Sequence, residues 1–380
     1  MKQSTVKLLD DLLIDAIRLR SSDIHLQFEN ENLNIRFRID GVLYDKKKIE
    51  KETANQLLSR IKVVSNLDLA EKRLPQDGKF WFKNADLRVS SFPTLYGEKI
   101  VIRILDRADK NFSLNILGFN ERAKKEFERL ISSSTGFIIV TGPTGSGKTT
   151  TLYSVLSSLD KNEKNIVTLE DPIEYSIDKI TQSQINNEIG FTFASGIRSI
   201  LRQDPDILMV GEIRDRETAD VAIRASLTGH LVFSTMHTND SVSAITRLIE
   251  MQIEPFLISA ALSGVLSQRL VRKLCSQCCF ETKLTVDENE ILRKMNLEIT
   301  KCYDAKGCAS CNYIGYKGRV GIFELLILDS KLKSFISNNY DYNQILQHAI
   351  KNGFKLLVDD AIEKVNAGIT SIKEILKTLM

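Results

Sequence analysis

The sequence has no apolar run approaching the roughly 20 residues that a helix needs to cross a bilayer. Its start, Met1-Lys2-Gln3-Ser4-Thr5-Val6, places polar and charged residues where a secretory signal needs a greasy core. Both absences argue against a spanning or exported chain and lead to the expectation of a cytoplasmic protein. An excess of either charge is missing as well. The 52 Lys and Arg set against 49 Asp and Glu leave a formal net charge of +3, so no basic field announces a nucleic-acid ligand. Internal repeats and low-complexity tracts are absent, which removes repeat architectures. Six cysteines in a 380-residue chain without an export signal argue against a disulfide framework and toward a metal or a redox pair.

What is present begins with one stretch, Gly142-Pro143-Thr144-Gly145-Ser146-Gly147-Lys148-Thr149-Thr150. It follows the apolar run Phe137-Ile138-Ile139-Val140 and precedes the amphipathic run Thr151 to Leu156, the context of a P-loop between a buried strand and a helix. Glycines there let successive backbone N–H groups turn inward around a phosphate, and the helix dipole adds partial positive charge. Lys148 is placed to reach the β- and γ-phosphates, and the Thr149 hydroxyl to complete the shell of a Mg²⁺ ion.

Around this stretch, strand-like and helix-like segments alternate. The strands are Ile166–Leu169, Ile207–Val210 and Leu231–Thr235, and the helices lie near 193–201 and 217–227, which predicts a parallel sheet covered on both faces. Upstream, 2–20 and 53–67 read as helices. Residues 23–28, 33–39, 80–82, 87–89 and 100–104 read as half-buried strands, with Asp40-Gly41 as a tight turn. The expected organisation is a mixed α/β domain over 1–105, a linker over 106–116 and an α/β P-loop domain over 117–270. A cysteine segment over 271–326 and a helical region over 327–380 complete it. The stretch 255–273 reads as a long helix.

Three strand ends carry candidate chemistry, because ligands of such sheets bind at the carboxyl ends of the strands. Glu212, after Ile207-Leu208-Met209-Val210-Gly211, is the acid placed to polarise water or hold Mg²⁺ through it; the usual Asp is Gly211 here. Glu170, in Glu170-Asp171-Pro172, is a second such acid, and the base role stays open between the two. His237, in Ser234-Thr235-Met236-His237-Thr238-Asn239-Asp240, is placed to sense the γ-phosphate, whereas His230 reads as structural. Cys275-Ser276-Gln277-Cys278 and Cys308-Ala309-Ser310-Cys311 have the spacing of a closed tetrahedral zinc site. Cys279 and Cys302 are left over.

Taken together, these residues resemble the secretion ATPases of type II secretion and type IV pilus assembly, over nearly the whole chain. The resemblance rests on Ser22-Asp23-Ile24-His25, Arg36 to Gly41, Arg73 to Gly78, the P-loop, Leu169 to Tyr175, Leu201 to Asp206, Gly211 to Asp215, Thr228-Gly229-His230, Ser234 to Asp240 and the cysteine pairs. It implies that Glu170-Asp171 is the aspartate box, Glu212 the atypical Walker B acid and the His230 to His237 segment the histidine box. It also implies that 117–270 is a RecA-like ATPase domain and that the chain forms a hexameric ring with ATP, Mg²⁺ and Zn²⁺, in which arginines of the N-terminal domain reach the phosphates; by position these are Arg88 and Arg103. Lys79 stands where the family often has Arg, a point charge in place of a planar fork.

The implied work is powering assembly of a type IV pilus or a type II secretion pseudopilus, for protein secretion or DNA uptake. The implied partners are a polytopic inner-membrane platform protein and a pilin-like apparatus, with peripheral association at the inner membrane through them. Retraction members lack the cysteine pairs, so Cys275, Cys278, Cys308 and Cys311 favour assembly. Fuller members carry an extra N-terminal docking domain. Here the resemblance begins almost at once, which points to a compact DNA-uptake or minimal secretion system. A nucleotide-binding scaffold without turnover and a DNA-translocating motor are the alternatives.

Overall fold

The computed structural model describes residues 4–106, 112–339 and 341–379. The chain divides into two compact units, Met1–Asn111 and Phe112–Met380.

In the first unit, α1 (Thr5–Arg18) leads into the meander β1 (Ser21–Glu29), β2 (Asn32–Ile39) and β3 (Val42–Glu50). After α2 (Lys51–Val64) come β4 (Gln76–Phe82), β5 (Ala85–Thr94) and β6 (Gly97–Asp106). The six strands form one antiparallel sheet in the order β3-β2-β1-β6-β5-β4. Asp40 and Gly41 both take left-handed angles, φ 48° and 88°, as a two-residue β2–β3 hairpin turn requires. Strand alternation then sorts the side chains. Ile24, Leu26 and Phe28 join Leu33, Ile35 and Phe37 in a core closed by Leu9, Leu13, Leu57 and Ile61 of the two helices. The same alternation places Lys79, Arg88, Arg103, Asp23 and Arg38 side by side on five adjacent strands, each the cross-strand partner of the next.

Of the expected linker, residues 107–111 lie outside the described residues. Residues 112–116 belong to the second unit, where Leu114 is buried and Phe112 meets Tyr153 edge-on. The unit continues with α3 (Glu121–Ile131), β7 (Gly136–Thr141), α4 (Lys148–Ser158), β8 (Ile166–Glu170) and β9 (Thr181–Gln184). Next come α5 (Phe193–Ile200), β10 (Ile207–Val210), α6 (Arg216–Leu227), β11 (Leu231–Met236), α7 (Ser241–Glu250), α8 (Pro255–Ala261) and β12 (Leu262–Leu274). The cysteine segment contributes the two-stranded β13 (Cys279–Thr282) and β14 (Cys302–Ala305) with α9 (Val286–Lys294) between them. The chain ends with β15 (Tyr316–Ile327), α10 (Ser330–Asn339), α11 (Tyr342–Lys351), α12 (Leu357–Asn366) and α13 (Ile372–Leu379).

Seven strands in the order β15-β12-β7-β11-β10-β8-β9 make the sheet, parallel throughout except for the β12–β15 pair. On β7, Phe137 and Ile139 enter a core with α5 to α8, while Ile138 and Val140 enter another with α3 and α4. The parallel sheet is thus covered on both faces, as strands without a polar face require.

One expectation fails. Residues 255–273 are not a long helix: α8 ends at Ala261, and a 13-residue strand follows, with Val265 and Leu266 buried where it lies between β7 and β15. A short apolar run reads alike as a buried strand or a helix segment, and here the free edges of the neighbouring strands decide.

Candidate functional site

The sheet brings the carboxyl ends of β7, β8, β10 and β11 to one edge, because all four run parallel. At the end of β7 the loop 142–147 turns tightly, with Gly142, Gly145 and Gly147 at φ 149°, 80° and 92°. At Gly145 a Cβ would meet nothing within 4 Å, so the loop opens there. At Gly142 it would lie 2.5 Å from the Gln268 carbonyl oxygen and 2.6 Å from Ser146 Oγ, so no side chain fits. Gly147 caps α4, whose first residue is Lys148, so the amides of the opening turn face the loop. The Lys148 ammonium folds over this loop, donating to the carbonyls of Gly142 (2.8 Å) and Pro143 (3.1 Å). Ser146 Oγ is buried without a hydrogen-bond partner. Thr149 and Thr150 are exposed on the first turn of α4, and Pro143 and Thr144 at the loop's crest. A phosphate fits this arrangement: it would meet inward amides, a lysine that can leave its carbonyls, and an orphaned hydroxyl.

Burial lowers the Lys148 pKa from its ordinary value to about 8, partly offset by the Glu212 carboxylate and reinforced by Arg269. Glu212, just past β10, is mostly buried; Arg214 Nη2 lies 2.5 Å from its Oε1 and His237 Nε2 lies 3.6 Å from its Oε2. Burial and the Lys148 charge hold His237 below the usual imidazole value against the pull of Glu212, so the ring is neutral at pH 7. Lys148, Glu212 and His237 therefore form one cluster. Gly211 keeps its backbone close to β8: its N–H donates to Leu169 O (2.8 Å), and a Cβ would sit 3.1 Å from that oxygen. His237 is carried by a braced segment, since Thr141 Oγ1 accepts from Thr238 N (3.0 Å), and Thr235 Oγ1 donates to Gly211 O (2.7 Å).

Glu170 is placed differently. It is 4% exposed, and its carboxylate accepts from the Tyr153 hydroxyl, from Thr168 Oγ1 (2.7 Å) and from Gln182 Nε2 (2.9 Å). Three donors turn it into the fold, leaving Glu212 as the acid beside Lys148. His230, expected to be structural, takes Nδ1 to within 2.9 Å of Ala225 O at the end of α6.

Arg88 lies in the first unit, on the row with Lys79 and Arg103, and lines an open groove of about 680 Å³ with both of them. Arg103 Nε is 3.1 Å from Asp23 Oδ1, and Arg38 Nε is 3.6 Å from Asp23 Oδ2.

The four cysteines of the two pairs converge. The sulfurs of Cys275, Cys278, Cys308 and Cys311 all lie within 4.8 Å of one another. The Cys275–Cys308, Cys278–Cys311 and Cys308–Cys311 edges are 3.9, 3.9 and 3.8 Å. Tetrahedral zinc with Zn–S bonds of about 2.3 Å sets edges of about 3.8 Å. Cys311 Sγ also accepts from the N–H groups of Cys308 (3.1 Å) and Gly315 (3.3 Å), bonds that favour a thiolate. Cys279 and Cys302 stand on β13 and β14, outside this cluster.

The sequence reading gives no role to Arg214, Gln268 or Arg269. Arg214 is two residues from Glu212 and was within reach of a charge argument, whereas the β12 pair depends on a strand that reads as helix. Among the described residues no helix is long and apolar enough to cross a membrane.

Comparison with known proteins gives a consistent picture. The family model described as "Type II/IV secretion system protein" matches residues 1–377. The type II secretion system protein E of Pseudomonas aeruginosa is 46% identical over 376 residues, 98% of this chain and 75% of that protein. The type IV pilus assembly ATPase PilB of Myxococcus xanthus is 43% identical over 379 residues, 97% of this chain and 67% of that protein. Among solved structures, the pilus retraction motor PilT with bound ADP superposes with a TM-score of 0.63 at 26% identity, covering 97% of this chain and 96% of that one.

Proposed function

Since the chain belongs to the type II/IV secretion system protein family, we propose that it is a Mg²⁺-dependent ATPase, working as a hexamer, that powers assembly of a type IV pilus or a type II secretion pseudopilus. The observation that carries this reading is the convergence of the P-loop, Lys148, Glu212 and His237 on one sheet edge. In this reading the loop amides of 142–147 and Lys148 hold the phosphates, with Thr149 as the protein's ligand to magnesium. The metal supplies charge neutralisation between the β- and γ-phosphates when bound. Glu212 orients the attacking water and takes its proton, Arg214 pairs with its Oε1 and leaves Oε2 toward His237, and neutral His237 donates toward the γ-phosphate. Glu170 is a positioning residue that ties β8 to Tyr153 of α4 and Gln182 of β9. Arg88, on the row with Lys79 and Arg103, is the guanidinium fork suited to charge that develops on the transferred phosphate.

The four-cysteine cluster takes one zinc per chain, a closed structural site within 271–326, between the nucleotide region 117–270 and the helices of 327–380. Membrane attachment follows from partners, a polytopic platform protein and pilin-like subunits, from a cytoplasmic position.

Steady-state ATP hydrolysis by the full chain tests the central claim. Turnover should fall by about 10³-fold or more in Lys148→Ala and Glu212→Gln at unchanged circular dichroism, because neither change touches the core. Wild-type rates in either variant would refute the site. For the cluster, elemental analysis of protein purified without chelator should find zinc in wild type, Cys279→Ser and Cys302→Ser, and none in Cys308→Ser.

A further inference from the structure

We infer that Gln268 and Arg269, consecutive residues of β12, are positioning residues that set the two halves of the nucleotide site separately: Gln268 fixes the phosphate loop, and Arg269 fixes the segment that carries His237. The inference rests on the ATPase reading and adds a division of labour to it.

The geometry follows from unequal strand lengths. Strand β12 pairs with β7 only as far as Ser267, which lies opposite Thr141, the last residue of β7. Beyond that point β12 keeps β15 on its outer side, with Gln268 opposite Phe323 and Arg269 opposite Ile322, while its inner side faces the loops that leave β7 and β11. Successive side chains of a strand point to opposite faces, so the two residues must engage different neighbours.

Gln268 is 1% exposed. Its Nε2 donates to Ser146 O (2.7 Å), and its Oε1 accepts from Thr151 Oγ1 (2.8 Å), which is itself buried on α4. One amide thus joins the last turn of the loop to the first turn of the helix behind it. Its own carbonyl is the atom that excludes a side chain at Gly142, and its Nε2 would lie 3.2 Å from a Cβ at Gly147. Both ends of the loop are therefore moulded against one glutamine. A buried amide used in this way has one favoured orientation, because turning it would set Oε1 against the Ser146 carbonyl, acceptor against acceptor.

Arg269 sends Nη2 to Asn239 O (2.7 Å) and Nη1 to Gln268 O (3.1 Å). Asn239 lies two residues after His237. The guanidinium also faces the carboxylates of Glu324 and Asp240. Glu324 accepts from Ser241 N (2.8 Å) and Ser241 Oγ (2.6 Å), and from Leu357 N (3.1 Å). Asp240 caps α7 through Ser243 N (2.7 Å). The turn from His237 to Ser241 is thereby held from β12 and β15, in addition to the Thr141–Thr238 bond at the end of β7.

The two residues should separate in kinetics. The full chain is assayed for MgATP turnover and for ADP affinity by calorimetry, with the thermal midpoint as a check on folding. Gln268→Leu keeps the volume and leaves Ser146 O and Thr151 Oγ1 unpaired, so ADP affinity should fall about tenfold with kcat changed less than about threefold. Arg269→Gln should lower kcat about tenfold with ADP affinity changed less than about threefold, because it loosens the segment that acts on the γ-phosphate and leaves the Gln268 side-chain bonds to Ser146 and Thr151 in place. Arg269→Lys should not restore kcat, since one ammonium cannot serve both carbonyls in the fork geometry. If Gln268→Leu does not fold, Gln268→Glu carries the same test: it keeps the acceptor for Thr151, loses the donor to Ser146, and should also weaken ADP binding. Equal losses of kcat and affinity in both variants, or no loss in either, would overturn the inference. A wild type that binds ADP without hydrolysing ATP would instead overturn the ATPase reading, while the affinity arm would still decide the role of Gln268.

Discussion

The two units each carry a cationic feature that the proposed mechanism assigns to phosphate, and they build it by opposite means. In the second unit the charge is mostly backbone: amides of a loop fixed by three left-handed glycines, one buried lysine, and neighbours that hold each group in place. In the first unit it is entirely side chain, a row in which Lys79 is exposed and Arg88 half-buried on a sheet face. A backbone site has lost its freedom on folding and binds ground-state phosphate at little further cost in order. A guanidinium on a long side chain offers a planar, charged fork, which acts best where charge develops. The difference teaches that holding nucleotide and accelerating its cleavage belong to different units in the proposed mechanism.

The sharpest way to break this comparison is Arg88→Ala. Turnover should fall about 100-fold with ADP affinity changed by less than about threefold, as measured by paired kinetics and calorimetry. Arg103→Ala should cost less than tenfold, roughly a smaller barrier change, because its guanidinium is already held on Asp23. A loss of affinity that matches the loss of rate in Arg88→Ala would erase the distinction.

A smaller effect is expected from pH. Lys148 titrates near 8 without ligand, and bound phosphates would raise that value. Below pH 8 the ammonium is present in both states and affinity is full. As pH rises through 8, binding must first take up a proton, so ADP affinity should fall toward tenfold per pH unit, about 1.4 kcal/mol each. Calorimetry between pH 7 and 9.5 in buffers of different ionisation enthalpy would show that proton uptake; a flat profile would place the Lys148 charge elsewhere.

The parts of this structure legible in sequence are those whose cause is local. The P-loop is one continuous stretch, and the Asp40-Gly41 turn needs only two residues with positive φ. The cysteine pairs advertise themselves by spacing, and the strands before Glu170, Glu212 and His237 by short apolar runs. What was not legible depends on distant partners. Glu170 reads as an acid at a strand end, yet Tyr153 from α4 and Gln182 from β9 turn it inward, and nothing in its own neighbours predicts that. Gln268 was hidden twice, because 255–273 has a helical reading and because its partners, Ser146 and Thr151, lie over a hundred residues away. Arg88 was reached through resemblance alone; its register with Lys79 and Arg103 adds the physical reason for grouping it with them.

Strand β12 also has a consequence in mechanical terms. It runs without a break from the phosphate loop at Gln268 to Leu274, and the next residue is Cys275, the first of the four clustered thiols. At about 3.3 Å per residue this rod is about 23 Å long. Its outer side is stitched to β15, and its one irregularity, between Arg272 and Leu274, is spanned by Arg272 bonding Glu374 of α13 through Nε at 2.8 Å. Such a rod cannot stretch or buckle under small loads. The phosphate loop and the cysteine cluster are therefore joined by one strand, and the distance between them is set by its length.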